Sequence, residues 1–251
     1  MPQKEWFATW FDSPYYHLLY QHRDDNEAQQ FLDHLIAKLA LASNAHLLDL
    51  ACGKGRHSLT LAHKGFKVIG ADLAANSIAA AEQNRVALGL DNLNFVVHDM
   101  RKPLDGKPFD AIFNLFTSFG YFDTLEENQA VCKSIAQMLT SNGLLVIDFL
   151  NAYKVCKNLK PSEVVSRDGA QFNIERWHDH KHIFKQIEVL DTIQNTVVGN
   201  FTERVQALSL ANFEALLSPY FEIQATYGSY ALDSFNEQDS DRLIIIAKKR
   251  L

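Results

Sequence analysis

The sequence predicts an α/β fold, in which a largely parallel sheet is covered by helices on both faces and carries a smaller antiparallel β insertion. Two observations lead to this prediction. Short apolar runs alternate with helical patterns up to Asn151, as in the βα units that build a parallel sheet. After Asn151 the alternation stops, and strand-like runs separated by hydrophilic turns follow, which is typical of antiparallel hairpins.

The predicted strands of the parallel sheet are short and mostly continuous in apolar residues, as strands buried on both faces are. They are His46–Leu50, Lys67–Ala71, Asn94–Val97, Ala111–Phe113 and Leu144–Phe149. Helical patterns separate these runs. They cover Glu27–Leu41, Ala75–Leu88, and a stretch from Thr124 to Asn142-Gly143. The last stretch begins with a capping box, because Glu127 follows Thr124 by three residues.

The β insertion is predicted over residues 152–206, without a helix. Its strands are Glu163–Ser166, Gln171–Trp177, Ile183–Leu190 and Thr196–Gln206. Ser209 then begins a short helix that ends at Leu217, and two strands follow, Phe221–Tyr227 and Leu243–Ala247. The chain is therefore expected to consist of a core, residues 1–151 and 207–251, and the insertion.

Length and composition exclude several classes of protein. The 251 residues carry a formal charge of −6, which argues against non-specific binding to nucleic acid or anionic lipid. No run approaches the roughly 18 apolar residues of a membrane span. The three cysteines form no CxxC pair, so neither a disulfide framework nor a structural zinc site is indicated. We expect a cytoplasmic protein, monomeric or homodimeric, that binds no membrane.

Carboxylates stand at the predicted strand ends, where ligands of open α/β sheets bind. The first strand leads through Asp49 into a turn with Gly53 and Gly55, which allow close approach of the backbone to a ligand. Asp72 lies about twenty residues after Gly53. At this spacing an acidic residue binds the ribose hydroxyls in nucleotide-binding folds. Two later strands carry Asp99 and Asp148.

Two ligands compete for such a site, a dinucleotide and S-adenosylmethionine. A dinucleotide places an anionic pyrophosphate at the N-terminus of the first helix, where Asp49 is an unfavourable neighbour. Ser58 also stands where the GxGxxG motif has its third glycine. S-adenosylmethionine has no phosphate and carries a sulfonium and an ammonium group. Each acid taken singly is also an ordinary turn or helix cap, but the full set favours the cationic ligand.

The motifs between His46 and Asn151 resemble those of class I S-adenosylmethionine-dependent methyltransferases. Four motifs follow one another in the family's order: Leu48–Gly55, Gly70–Leu73, His98–Arg101 and Phe109–Leu115. The resemblance implies a Rossmann-like sheet of seven strands whose last strand, here Leu243–Ala247, is antiparallel. It also implies S-adenosylmethionine as the cofactor.

The resemblance assigns one group of residues to the methionine end of the cofactor. These are Asp49, Ala51, Gly53 and Gly55, together with Leu115, whose carbonyl accepts from the ammonium group. A second group is assigned to the adenosine. Asp72 holds the ribose hydroxyls and Leu73 lies against the adenine, while Asp99 accepts from the adenine amino group beside Met100.

The stretch Leu115–Tyr121 is similar to the corresponding loop of small-molecule N- and O-methyltransferases of the glycine methyltransferase kind. In those enzymes the loop reaches the methyl acceptor. The similarity therefore assigns Ser118 and Tyr121 to the catalytic site. A general base is needed only if the acceptor arrives protonated, and by position either Tyr121 or a histidine of the insertion is a candidate.

The N-terminal segment is rich in aromatic residues, and in the same enzymes such a segment closes over the cofactor together with an arginine. Tyr16, Tyr20 and Arg23 lie at comparable distances before the first motif. Tyr16 is accordingly assigned to the catalytic site, and Tyr20 and Arg23 to the cofactor. A lid that orders when the cofactor binds is favoured over a permanently packed strap.

These features predict methyl transfer to nitrogen or oxygen of a small molecule, by in-line attack, with residues 152–206 covering the acceptor site. The alternatives are a nicotinamide-dependent oxidoreductase on a similar sheet, and a non-catalytic S-adenosylmethionine binder or protein methyltransferase. DNA is not an expected partner, because no cysteine follows a proline and the fourth strand ends without a proline pair. His178, His180 and His182 alternate, but no carboxylate or cysteine pattern completes a metal site, so no metal is expected.

Overall fold

The computed structural model describes residues 5–21 and 25–250. Its main sheet has seven strands in the order β10-β11-β5-β4-β1-β2-β3. Their bounds are β1 His46–Leu50, β2 Lys67–Asp72, β3 Leu93–Val97, β4 Phe109–Asn114, β5 Leu139–Leu150, β10 Phe221–Tyr227 and β11 Arg242–Lys249. β11 runs antiparallel to both of its neighbours, β5 and β10. The predicted fold class, including the antiparallel last strand, is confirmed.

The order of the strands places a crevice in the middle of this sheet. β1 pairs in parallel with β2 on one side and with β4 on the other. The chain therefore runs outward from β1 through β2 to β3, and then crosses back to β4 on the opposite side of β1. In open α/β sheets the ligand binds at this point, beyond the carboxyl ends of the strands. The turns that follow β1, β2 and β4 therefore surround the site.

Eight helices are described. They are α1 Trp6–Trp10, α2 Pro14–Leu19, α3 Asp25–Leu39, α4 Arg56–His63, α5 Ala75–Ala87, α6 Leu125–Met138, α7 Ala152–Lys157 and α8 Leu210–Leu217. Both faces of the main sheet are buried: Leu48 and Ile245 belong to one apolar cluster, and Leu47 and Ile244 to the other. No helix in residues 5–21 and 25–250 is long and apolar enough to cross a membrane.

The boundary between α6 and β5 differs from the prediction. The capping box of Thr124 and Glu127 begins α6 as expected, but the helix ends at Met138, four residues before Asn142. Leu139 is already extended, lies in the core and pairs with Phe109 of β4. The burial of Leu139 against the sheet thus outweighs the Asn-Gly turn signal, which lies inside β5.

The insertion contains a four-stranded antiparallel sheet in the order β6-β7-β8-β9. Its strands are β6 Ser162–Arg167, β7 Ala170–His178, β8 His182–Asp191 and β9 Thr196–Gln206. The expectation that residues 152–206 contain no helix is wrong, because α7 precedes β6. At six residues α7 is too short to show an apolar period in the sequence.

The N-terminal strap, defined as residues 5–21, packs between the two sheets. Trp10 and Leu19 are buried in a cluster with Phe172, Ile187 and Val189 of the four-stranded sheet. The strap also packs on the main sheet, because Phe7 belongs to the same buried apolar cluster as Leu48 of β1. One aromatic segment therefore joins the insertion to the core.

Candidate functional site

A cavity of about 630 Å³ lies at the carboxyl ends of β1, β2 and β4. The turns of the main sheet form one wall, the strap forms the second, and the four-stranded sheet forms the third. Most of the residues that the sequence assigned to the site line it. They are Tyr16, Tyr20, Ala51, Gly53, Asp72, Leu73, Asp99, Met100, Leu115, Ser118 and Tyr121.

The glycines of the turn after β1 have different roles. Gly53 (φ +56°) lines the cavity, and a Cβ placed there would meet no atom within 4 Å. Gly55 (φ +79°) faces the protein instead, because a Cβ there would stand 2.4 Å from Cζ of Phe95. Ala51 also has a positive φ, 63°. Gly53 therefore exposes backbone to a ligand, while Gly55 lets the turn pack on β3.

Asp72 lies at the end of β2 and is aimed by the backbone around it. Its Oδ2 accepts from the N–H of Gly53 at 2.7 Å, and its Oδ1 accepts from the N–H of Ala74 at 2.8 Å. Burial raises the pKa of this carboxyl, although the backbone donors oppose that shift. The carboxylate and the adjoining Leu73 form one side of the cavity.

Asp49 lies behind the turn and does not line the cavity. It is 1% exposed, and its Oδ2 accepts from Oγ of Ser58 at 2.6 Å. Burial raises the pKa of Asp49 to about 6, with the hydrogen bond from Ser58 acting in the opposite direction. The structure therefore separates Asp49 and Gly55 from the other predicted cofactor residues.

Asp99 and Met100 follow β3 and line the cavity beside Asp72. Oδ2 of Asp99 accepts from Nη2 of Arg101 at 2.8 Å, and the same guanidinium binds Glu5 of the strap and Glu127 of α6. Although burial alone would raise the pKa of Asp99, the hydrogen bonds from Arg101 lower it below its ordinary value. Arg101 thus ties the strap and α6 to the loop after β3.

The loop after β4 carries the predicted catalytic residues Ser118 and Tyr121. Oγ of Ser118 donates to the carbonyl of Leu115 at 2.8 Å, and Oη of Tyr121 donates to the carbonyl of Thr117. The ring of Tyr121 also packs against Trp6 of the strap at 5.3 Å between centroids. Both hydroxyls are thus oriented by backbone carbonyls at the cavity surface.

An ion pair that the sequence did not reveal supports this loop. Phe116 and Thr117 both have φ of 64°, a strained conformation for residues with a Cβ. The N–H of Phe116 donates to Oδ2 of Asp148 at 2.9 Å. Arg242 binds Oδ1 of Asp148 through Nε at 2.8 Å and Oγ1 of Thr117 through Nη2 at 3.0 Å. Asp148 was noted at its strand end, but no local pattern indicated Arg242.

The strap contributes Tyr16, His17 and Tyr20 to the cavity. Tyr16 and Tyr20 pack together with centroids 5.0 Å apart. Burial, assisted by the nearby Lys54, lowers the pKa of His17 to about 4. Asp12 fixes the strap to α5, since its Oδ1 accepts from the N–H of Asn76 at 2.9 Å. Arg23, assigned to the cofactor from the sequence, lies outside the described residues.

Nothing in the described ranges forms a cluster of three or more metal-ligating side chains. His182 lies 3.8 Å from Asp179 in the hairpin between β7 and β8, but no third ligand completes the group in this part of the structure. Besides carboxylates, backbone donors and aromatic rings, the cavity lining contains cationic side chains, among them Lys54, Arg56, Arg176 and Lys185.

Residues 41–206 match the protein family described as "Methyltransferase domain". YqeM of Bacillus subtilis, a protein named only provisionally as a methyltransferase, is 31% identical over 131 residues. That match covers 51% of this chain and 52% of YqeM, so the chain spans about half the length of this curated relative. A sugar N,N-dimethyltransferase of Streptomyces venezuelae, which acts on a dTDP-linked amino sugar, is 29% identical over 57% of this chain and 58% of its own length.

Solved structures share the fold over nearly the whole chain. An S-adenosylmethionine-dependent methyltransferase from Clostridium acetobutylicum superposes with a TM-score of 0.81 at 19% identity, covering 94% of this chain and 96% of its own. The sugar N-methyltransferase KedS8 from Streptoalloteichus superposes with a TM-score of 0.72 at 20% identity, covering 94% and 93%. At these identities the likeness is one of fold.

Proposed function

Since the chain belongs to the methyltransferase domain family, we propose that it transfers a methyl group from S-adenosylmethionine to a nitrogen or oxygen atom of a small molecule. The observation that carries the proposal is the cavity wall made by Gly53, Asp72 and Asp99. It combines an open backbone turn with two carboxylates. The family resemblance drawn from the sequence is confirmed.

The residues present suit the cofactor. Asp72 holds the ribose hydroxyls, because its carboxylate is half-buried and already directed toward the cavity by two backbone donors. Leu73 and Met100 offer apolar surface to the adenine, and Asp99 accepts from its amino group. The open space over Gly53 admits the methionine end, with Ala51 and the carbonyl of Leu115 beside it.

The carboxylates around the turn favour a cationic ligand over a dinucleotide, although Lys54 of the turn and Arg56 of α4 also line the cavity. Asp49 is buried beneath the turn that leads into α4, and Asp72 stands next to it. A pyrophosphate at the N-terminus of α4 would lie against these carboxylates, which offsets the favourable effect of the helix end. A sulfonium and an ammonium group gain from the same carboxylates, and in this proposal Asp49 acts on them from behind the turn.

The acceptor lies between the loop after β4, the strap and the four-stranded sheet. Ser118 and Tyr121 are on the loop, Tyr16 is on the strap, and Ile183 of β8 is on the four-stranded sheet. A cavity of about 630 Å³ is in the range of small-molecule sites. This supports a small acceptor over a protein, and it supports the insertion as the cover of the acceptor site.

The sulfonium of S-adenosylmethionine supplies an electrophilic methyl group, so the protein needs mainly to align the acceptor and to exclude water. In our proposal Ser118, Tyr121 and Tyr16 hold the acceptor in line. The hydroxyl of Tyr121 donates a hydrogen bond to the carbonyl of Thr117, so in this proposal its oxygen accepts a hydrogen bond from the substrate. The rings of Phe7 and Phe11 line the same side and keep water out.

Titration calorimetry with S-adenosylmethionine, S-adenosylhomocysteine and NAD tests the cofactor. We expect the first two to bind and NAD not to bind. Incubation with S-adenosylmethionine and a metabolite extract, followed by mass spectrometry, then tests the transfer. S-adenosylhomocysteine should form together with a product heavier by one methyl group, whereas binding without turnover would indicate a non-catalytic binder.

A further inference from the structure

One face of the four-stranded sheet is turned toward the strap and the cavity. Directly opposite residues of antiparallel strands lie on the same face, so this face can be described as rows that cross the strands. The row of Ile174, Ile187 and Phe201 is apolar and packs under Trp10. In the row of His178, Ile183 and Val205, His178 at the outer end is exposed, while the apolar Ile183 and Val205 line the cavity.

Between these rows lies a charged row, Arg176, Lys185 and Glu203. Arg176 of β7 stands directly opposite Lys185 of β8, which stands directly opposite Glu203 of β9. All three side chains line the cavity. They are only 19%, 12% and 22% exposed. Burying charge is costly unless it is compensated, so three such residues in an apolar face need an explanation.

The order of charges in the row is unfavourable for folding alone. Two cations, Arg176 and Lys185, face each other across neighbouring strands, and like charges in that position destabilise a sheet. The acids lie at the two ends instead. Arg176 binds Glu163 of β6, and Nζ of Lys185 lies 3.9 Å from Oε2 of Glu203, beyond hydrogen-bonding distance.

Glu203 is engaged mainly with the strap. Its Oε1 accepts from Nε1 of Trp10 at 2.6 Å and from Oη of Tyr20 at 3.0 Å. Lys185 in turn donates to Oη of Tyr20 and lies over its ring, 4.5 Å from the centroid. These contacts hold the ammonium group of Lys185 at the cavity, on the strand that pairs with the strand of Arg176.

A second cavity, of about 370 Å³, adjoins the first at this row. The two share Val155, Leu159 and Arg176. The second cavity adds the cations Lys154 and Lys160 and the acids Glu163 and Asp241. Arg176 therefore stands where a molecule bound beside the methyl donor would pass into a region of paired charges. There Lys154 binds Asp241, and both Lys160 and Arg176 bind Glu163.

We propose that Arg176 and Lys185 bind an anionic group, a carboxylate or a phosphate, of the methyl acceptor. The proposal rests on the proposed function and specifies its substrate class: the acceptor carries its attacking nitrogen or oxygen near Tyr121 and an anion at the charged row. An oxyanion between the two cations relieves their repulsion and forms charge-assisted hydrogen bonds with both. Remaining parts of the acceptor extend into the second cavity.

Titrations with acetate, inorganic phosphate and pyrophosphate test this site at low ionic strength, with calorimetry and amide NMR shifts as readouts. The protein is used free and loaded with S-adenosylhomocysteine. We expect binding that shifts the amides of Arg176 and Lys185, and roughly tenfold weaker binding in Arg176→Gln and in Lys185→Gln. Lys181→Gln, which removes an exposed cation from the turn between β7 and β8, is the matched control and should bind like the original chain.

Each outcome decides the proposal. Stronger binding of phosphate and pyrophosphate assigns a phosphate, and stronger binding of acetate assigns a carboxylate. If none of the three anions binds, or if both glutamine variants bind them as well as the Lys181→Gln control does, the anion site does not exist. The affinity for S-adenosylhomocysteine is measured in the same samples. If the protein does not bind S-adenosylhomocysteine, the proposed function is contradicted, whereas the anion site is judged from the anion titrations alone.

Discussion

Arg242 and Asp148 form an ion pair beneath the loop that carries Ser118 and Tyr121, with Nε and Oδ1 2.8 Å apart. Asp148 is completely buried, and the side chain of Arg242 is 18% exposed. Burial of the guanidinium opposes its charge, but the proximity of Asp148 raises the pKa of Arg242 overall. The pair connects the antiparallel strand β11 to β5 and holds Phe116 and Thr117 in their left-handed conformation.

Removal of one partner of this pair should destabilise the fold. Arg242→Met leaves the carboxylate of Asp148 buried with two remaining donors, the backbone N–H of Phe116 at 2.9 Å and Oη of Tyr230 at 3.3 Å, and no counter-charge from Arg242. We expect a loss of about 3–5 kcal/mol in the free energy of unfolding, measured by urea denaturation. The exposed pair Lys64–Asp33 is the control, and Lys64→Met should cost less than about 1 kcal/mol. Equal losses in the two variants would contradict this assignment of Asp148.

Asp72 is expected to dominate recognition of the ribose. Asp72→Ala removes an acceptor for two hydroxyls and should weaken S-adenosylmethionine binding ten- to a hundredfold, or roughly 1.5–3 kcal/mol. Because Asp72 also accepts from Gly53 and Ala74, Asp72→Asn is a second variant that keeps one oxygen and should lose less affinity. Calorimetry compares both with Asp91→Ala, which changes an exposed acid in another loop. An unchanged affinity in Asp72→Ala would remove this residue from the site.

Asp49 should make the stability of the protein depend on pH. Its pKa is raised from 3.8 to about 6 by burial, so between these values the folded protein keeps a proton that the unfolded chain has released. Asp49 contributes its full stabilisation below about pH 4. Between about pH 4 and pH 6 the free energy of unfolding falls by about 1.4 kcal/mol per pH unit, and above about pH 6 the contribution is lost. Asp49→Asn can still accept from Ser58 and should lack this component. Urea denaturation at several pH values checks it, and parallel curves for the two proteins would be incompatible with it.

The strap should respond to the cofactor. Tyr16, His17 and Tyr20 line the cavity, while Asp12 and Trp10 fasten the strap to α5 and to Glu203. A ligand packed beneath these rings opposes local opening. We expect amide hydrogen exchange over residues 5–21 to slow on addition of S-adenosylhomocysteine, with β10 as an unaffected internal reference. Identical exchange rates with and without the ligand would favour a permanently packed strap.

Much of the fold follows from local patterns in the sequence. The predicted bounds of β1 and β10 agree with the structure, because β1 is a short, mostly apolar run and β10 alternates apolar with polar residues. The spacing of Thr124 and Glu127 predicts the capping box that begins α6, and Ser209 predicts the start of α8, where the structure adds a second capping box with Asn212. The start of β5 was missed, since it depends on the burial of Leu139 against β4 and not on the residues around it.

By itself the sequence determined the order of the elements, the acids at the strand ends, and the motif resemblance that identifies the family. The tertiary structure decided which of these residues share the cavity: it places Asp72 and Asp99 on the wall and Asp49 behind it. It also brought Arg242 to Asp148 across 94 positions, and Lys185 between Arg176 and Glu203. Such partners are set by strand register and by the packing of one sheet on another, and the pattern of a single strand contains neither.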